Sequence, residues 1–287
     1  MSATQSFALT LLTTLLSALT PLHSAPSSRL EITVERADWG KAVPIDIAKV
    51  SKSAADQIWV WCPQSRLDGI RIYRRFDLPQ TDFLRASDGR IAIGLAAEHQ
   101  RWSQFAFQFA HEFCHALAQQ SEAALRGVQT KNSLNLWLEE SLCETASLFA
   151  LRSMAVKWQT NPPYQNWRDY APLHTTYADE RLADPQNQLP QGKSFTTWFA
   201  EEETSLRSHP CQRHKNVIVA TQLLPLFEAE PQHWEAVTFL NQSPPNKNQT
   251  LAHKLAQWQS DSPPEHRPFI AKIANRFGVN LPPQSPK

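Results

Sequence analysis

The amino-acid sequence predicts an α+β protein: a small mixed sheet with helices packed on it, followed by a mainly helical C-terminal subdomain. Three observations predict this. Short stretches of alternating apolar and polar residues all precede residue 100. Apolar residues at helical spacing dominate everything after it. A chain of 287 residues can bury a full core as one large domain or two compact subdomains. The expected organisation is a signal segment over residues 1–25, an N-terminal α/β subdomain over 28–120, a mainly helical subdomain over 121–280 and a disordered tail over 281–287.

Phe7 to Leu22 carries no charge and is followed by the small residues Ser24 and Ala25. It reads as a secretory signal cleaved near Ser24 to Pro26, or as an uncleaved N-terminal anchor. Sixteen uncharged residues are short for a membrane span. The chain is therefore expected to be exported, periplasmic or secreted, with no stable membrane span once the signal is cleaved. Arg29 to Arg36 alternates, with Leu30, Ile32 and Val34 inward, and predicts a strand. Pro44 to Trp61 places Ile47, Val50, Ala54 and Ile58 at helical spacing, with Pro44 acceptable in the first turn. Gly69 to Arg74 and Arg90 to Leu95 predict two further strands, the second after the turn signal Asp88-Gly89.

Trp102 to Leu117 is uninterrupted by Gly or Pro and predicts a buried helix. A second helix is expected from the capping residues Asn132 and Ser133 to Met154. Thr160 to Pro210, rich in Pro, Gln, Tyr and Trp, reads as substrate-covering loops or as plain surface connections. Asn216 to Glu228 predicts a helix bent or ended by Pro225. Phe269 to Phe277 predicts another, with Gly278 at its C-terminal cap. Asn241 to Asn248 and Pro282 to Lys287 read as loop and tail.

The chemistry is concentrated in His111-Glu112-Phe113-Cys114-His115. Residues four apart on a helix share a face, so both imidazoles can reach one metal ion. Glu112 is rotated by about 100°, beside the metal rather than in line as a ligand. Two histidines and a glutamate on so apolar a helix need partners, and a divalent cation supplies one. A catalytic zinc takes three protein ligands and keeps one position for water. Ala118 and Ser121 stand where a Gly and a third His would come in one common pattern, and the next Asp after His115 is Asp169. The next helix instead carries Trp137-Leu138-Glu139-Glu140-Ser141, with Glu144 one turn beyond Glu140 on the same face and Glu139 turned toward solvent.

His111-Glu112-x-x-His115 with Trp137-Leu138-Glu139-Glu140-Ser141 downstream resembles the gluzincin group of zinc metallopeptidases, within the zincin superfamily. The resemblance covers residues 100 to 150 or so. It implies one Zn2+ ion held by His111, His115 and Glu140, with Glu112 as the general base that deprotonates the attacking water. It also implies that Glu144 accepts the second ring N–H of a ligand histidine. In the zincin fold the strand at Arg90 to Leu95 would border the cleft and offer its backbone to an extended peptide. Such enzymes add a Tyr or His donor to the developing oxyanion. Tyr164, Tyr170, Tyr177, His174, His209 and His214 lie in suitable territory, with His174 and Tyr177 foremost. The expected function is hydrolysis of peptide bonds in a peptide or protein substrate. The alternative is an exported zincin-like protein that binds zinc and a peptide or protein partner without cleaving it. A structural zinc site would need a fourth protein ligand.

Composition excludes other classes. With Lys+Arg 28 against Asp+Glu 27 and no basic run longer than Arg74-Arg75, nucleic acid is not an expected partner. Seven glycines and no GxGxxG or P-loop pattern argue against phosphate-cradling loops. Of the four cysteines, Cys114 and Cys143 each precede a site residue by one position, so they are expected to face each other, as a disulfide or as buried thiols. Cys62 and Cys211 could pair or stay free. The absence of CxxC spacing argues against cysteine ligation of zinc.

Overall fold

A computed structural model describes residues 30–85, 88–120, 134–244 and 248–281. The expected signal, the capping pair Asn132 and Ser133 and the tail from Pro282 lie outside the described residues. The fold is mixed α+β, with a four-stranded sheet preceding a largely helical remainder.

Strand β1 (Glu31–Val34) and helix α1 (Pro44–Trp59) are followed by β2 (Gly69–Arg74), β3 (Gln80–Asp82) and β4 (Ile91–Leu95). The sheet order is β1-β2-β4-β3. β1, β2 and β4 run parallel, with Ile32 opposite Ile70 and Ile72 opposite Ile93. β3 closes the far side antiparallel to β4, with Thr81 opposite Ile93. The strand expected to border the cleft is therefore an inner one. All five residues of β4 are buried, and the edge belongs to β3. Gln80-Thr81-Asp82 has no apolar alternation to announce it; its strand conformation comes from hydrogen bonding to β4.

Helix α2 (Trp102–Ala118) lies against the sheet and packs most extensively on α3 (Leu136–Trp158). α3 is buried on nearly every face. Trp137, Leu142, Ala146, Leu148, Leu151, Met154 and Trp158 are all buried, as a central helix requires. Around it pack α1, α2, α4 (Ala171–Ala183) and α6 (Arg213–Ala229), with α5 (Phe195–Ser208) at its start. The stretch from Thr160 to Pro210, with its loop-like composition, thus holds α4 and α5. Ser194 caps α5 by accepting a hydrogen bond from the Thr197 N–H at 3.2 Å. α6 continues through Pro225 because Leu223, Leu224 and Phe227 are anchored in the core. α7 (Leu251–Asp261) and α8 (Arg267–Arg276) complete the chain. Gly278, at φ +74°, reverses the chain after α8, and Val279 N–H returns to the Ala274 carbonyl at 3.0 Å. Buried residues from Leu30 to Phe277 form one continuous cluster. Among the described residues, no helix is long and apolar enough to cross a membrane.

An aromatic seam sets the position of α2. Phe113 lies between Phe109 (ring centroids 5.7 Å apart) and Trp59 of α1 (6.2 Å), and is fully buried. It sits inside the His-Glu-x-x-His pentapeptide, so the packing that seats α1 also orients the histidines. Phe113→Ala is expected to cost about 3–5 kcal/mol. Urea unfolding checks this, and a loss below about 1 kcal/mol would show that the seam is not rigidly packed.

Candidate metal centre

His111 and His115 stand one turn apart on α2, their rings 5.1 Å apart between centroids. α3 brings Glu140 between them. Its Oε2 is 3.4 Å from His111 Nε2 and its Oε1 is 3.6 Å from His115 Nε2. Zinc–nitrogen and zinc–oxygen bonds near 2.0–2.2 Å at tetrahedral angles put neighbouring donors about 3.3–3.5 Å apart. Each Glu140 oxygen thus stands from one ring nitrogen at the separation of two neighbouring ligands. Glu140 is buried only in part, its side chain 16% exposed, which leaves the cluster open to solvent on that side.

The opposite nitrogens of both rings face other carboxylates of α3. His115 Nδ1 donates to Glu139 Oε1 at 2.7 Å. Glu139 is buried, not turned to solvent as helix phase alone suggests, because α2 covers that face of α3. Its carboxylate also accepts from Gln119 Nε2 (3.1 Å) and from Asn241 Nδ2 (2.7 Å). Lys254 Nζ, itself buried, donates to Asn241 Oδ1 at 2.8 Å and to the Leu240 carbonyl at 2.7 Å. A line of contacts therefore runs from Lys254 through Asn241 and Glu139 to His115. Glu144 faces His111 Nδ1, but at 3.9 Å this is an ionic contact and not the expected hydrogen bond. Arg181 holds the Glu144 carboxylate at 3.2 and 3.3 Å, and Arg213 approaches to 3.6 Å. These two guanidiniums draw it away from the ring.

The carboxylates and the histidines hold one another's charge state. Burial alone would push His115 down and Glu140 up. The carboxylates of Glu140 and Glu139 outweigh burial at His115, which is raised well above the ordinary value. The charge of His115 and hydrogen bonds from both histidines hold Glu140 far below the usual carboxylate range. Glu144 is neutralised by two arginines, and Glu139 is approached by Lys254 through Asn241. Among the described residues, Glu140 has ion-pair contacts only with the two histidines. The Glu140 carboxylate is thus flanked by two imidazoles in a mostly buried setting.

A second set shares the same histidines: Cys143 Sγ and one ring nitrogen from each of His111 and His115 lie within 4.8 Å of one another, all buried. A buried His-His-Cys group of this kind could hold a metal ion. Cys143 also meets Cys114 across the α2–α3 interface, where burial, and then the Cys114 thiol, push its pKa well above that of an ordinary thiol. All four cysteines are free, so of the two expected states of Cys114 and Cys143, a disulfide or buried thiols, the second is the one present. Both thiols are fully buried, which keeps them away from oxidant.

Glu112 is 5% exposed and turns toward the sheet edge. Thr81 Oγ1 of β3 lies 2.9 Å from Glu112 Oε2 and 2.8 Å from the Glu112 carbonyl, sharing its donor between them. Phe83, just past β3, meets the His115 ring edge-on at 6.3 Å. Of the two foremost oxyanion donors, His174 is not in the site. It is fully buried, 3.0 Å from Ser103 Oγ and edge-on to Trp158, and Ser103 lies about 12 Å up α2 from His111. It serves as an aromatic pillar between α4 and α3. Tyr177 packs on Phe107, one turn before His111, on the side where Arg181 and Glu144 meet.

Sequence reasoning also passes over Cys211. Its Sγ donates to Glu140 Oε1 at 3.5 Å. Burial, then Glu140, push this thiol up to about 11. The lack of CxxC spacing hides it, because its neighbours in space are 71 residues away in sequence. Arg181, Arg213, Asn241 and Lys254 carry no sequence signal either. Glu139 does, by standing next to Glu140.

Comparison with protein families, with curated proteins and with solved structures finds no match to this chain.

Removing an outer partner of a metal-bound histidine typically weakens the metal by about 10–100-fold. Glu139→Ala is expected to do so, measured by zinc competition against a chromophoric chelator; unaltered affinity would mean that His115 needs no orienting carboxylate. His174 supplies a pH signature. Burial lowers it from 6.5 to about 3, so the unfolded chain binds more protons between those values. Its contribution to stability is whole above pH 6.5 and is lost as pH falls toward 3. The urea midpoint should decline over that window, with a shallower slope in His174→Gln. An identical slope in the variant would assign the decline to other groups.

Proposed function

We propose that the protein is an exported zinc-dependent peptidase of the gluzincin type, with one Zn2+ held by His111, His115 and Glu140. The observation that supports this most directly is the Glu140 carboxylate directing one oxygen toward the Nε2 of each histidine. Held by these three side chains, a zinc ion would supply a water of lowered pKa, toward about 7, and would polarise a carbonyl oxygen. Glu112 would serve as the base that accepts the proton of the attacking water and passes it to the leaving amine. Thr81 fixes which way the Glu112 carboxylate points. Glu139 holds His115 by its Nδ1–H, leaving Nε2 for the metal. The zincin-like reading of the fold is supported by the order of sheet and helices and by an antiparallel edge strand that touches the pentapeptide through Thr81. Among the described residues β3 is an edge strand, to which an extended peptide or protein segment would add as a further strand.

The second reading, zinc and peptide binding without turnover, is favoured by the position of His174, sealed off from the cluster against Ser103 and Trp158. Under the peptidase reading, Tyr177, on the side where Arg181 meets Glu144, would be the foremost remaining candidate to assist an oxyanion.

Glu112→Gln should keep wild-type zinc content and lower kcat on a peptide library by about 10²–10⁴-fold. His111→Ala should lose the zinc, measured by native mass spectrometry. Full activity in Glu112→Gln would remove the proposed base. Zinc-loaded wild type that cleaves nothing in the library would favour the binding protein.

A further inference from the structure

A second buried cluster of titratable groups joins the 3-10 turn Pro231–Phe239 to the C-terminal helices and shares no residue with the metal centre. His233, on that turn, meets His266, in the short turn between α7 and α8, with their Nδ1 atoms 2.9 Å apart. Both are buried, His233 8% and His266 4% exposed. On the other side of the His266 ring, Nε2 lies 3.3 Å from Glu235 Oε2, and Glu235 Oε1 accepts from the Gln64 N–H at 2.9 Å. The Cys62 thiol is close enough to Glu235 to feel its charge. His233 stacks on Phe269 of α8, ring centroids 4.5 Å apart, and its Nε2 stands 3.7 Å from Glu230 Oε2. Lys272 of α8 pairs with that same Glu230 at 2.6 Å. Arg267, the neighbour of His266, turns away to the Ser262 carbonyl at 3.0 Å.

Two ring nitrogens at this separation hold together only with one proton between them, an N–H on one ring and a lone pair on the other. A proton on each Nδ1 sets two N–H groups against one another with no acceptor. It also puts two positive charges in a buried setting. Lys272 already engages Glu230, so Glu235 is the carboxylate left to answer them, and it matches one imidazolium rather than two. We propose that the His233–His266 contact is an acid-operated latch, closed while the pair shares one proton and opened when both rings become cationic. The second proton comes from solvent, and only hydrogen bonds are exchanged. Burial, then the charge of His266, lowers His233 from 6.5 to about 4. The opened state therefore binds more protons between those values, so the latch is fully closed above pH 6.5 and gives way as pH falls toward 4. The same seam is crossed by Trp258 Nε1 donating to the Ala236 carbonyl at 2.7 Å and by Lys254 Nζ donating to Asn241 Oδ1 at 2.8 Å. Lys254 and Asn241 are the groups behind Glu139, so the latch couples acidity to the surroundings of the histidine cluster. It stands independently of the metal reading.

Hydrogen exchange of the full chain, read peptide by peptide and corrected for the intrinsic rate, tests this without relying on activity. Between pH 7 and pH 4, protection over residues 231–241 and 262–270 of wild type should fall by about a hundredfold, while peptides of α2 and α3 keep theirs. His233→Phe keeps an aromatic ring against Phe269 and leaves one imidazole, so the same segments should change by less than about threefold. Unchanged protection in wild type at pH 4 overturns the proposal. An equal loss in His233→Phe overturns it too, by assigning the acid response to other groups. Loss in every segment together would make the transition global unfolding and is equally fatal. Unmutated protein gives an independent check. Histidine 15N spectra at pH 7 should show a scalar coupling between the two Nδ1 nuclei across their hydrogen bond, and two Nδ1 atoms without hydrogen would refute the shared proton.

Discussion

The packing of α2 on α3 is the constraint on which everything else depends. It joins two helices that are apolar almost throughout and yet places two imidazoles and the carboxylates of Glu112, Glu139, Glu140 and Glu144 within or beside their interface. Buried polar groups are tolerated only when each finds a partner. Here each α3 carboxylate has a distinct solution: arginines for Glu144, Asn241 and Lys254 behind Glu139, and the two histidines for Glu140. Among the described residues, Glu140 alone of the three has no nearby basic side chain of permanent charge, and it is the one pointing at both Nε2 atoms. That asymmetry leaves the Glu140 carboxylate to the two histidines.

The site is also assembled from opposite ends of the chain. β3 reaches Glu112 through Thr81, the 3-10 turn Pro231–Phe239 leads into Asn241, and the connection before α6 brings Cys211 and Arg213. Each comes from an element that packs on α2 or α3, so the core that seats those helices also fixes the periphery of the cluster. Phe113 and Trp59 show this economy most plainly, since a packing residue lies between the two histidines in sequence.

Much of this is legible in the residues. The strands at Gly69 to Arg74 and Ile91 to Leu95 and the helices α1, α2 and α3 follow from apolar periodicity, with ends displaced by a few residues at most. Spacing and resemblance single out His111, His115 and Glu140, and the structure brings them together. Other features are invisible for definite reasons. β3 has three residues and no alternation, so only its partner makes it a strand. Helix phase points Glu139 to solvent because phase does not say which faces a neighbouring helix will cover. His174 shares a segment with Tyr177, yet one turn of α4 separates a ring sealed against Trp158 from one beside Phe107.

What the sequence by itself determined is the local chemistry: a helix that presents two histidines on one face, and a second with glutamates at matching phase. Covalent spacing and helical periodicity suffice for that, being properties of a few neighbouring residues. Only the tertiary structure decided which glutamate meets both rings, which nitrogens are left free and which distant thiol reaches that glutamate. Those outcomes depend on how two apolar surfaces interlock and on where buried charges find counter-charges, and neither is encoded in any single stretch of chain.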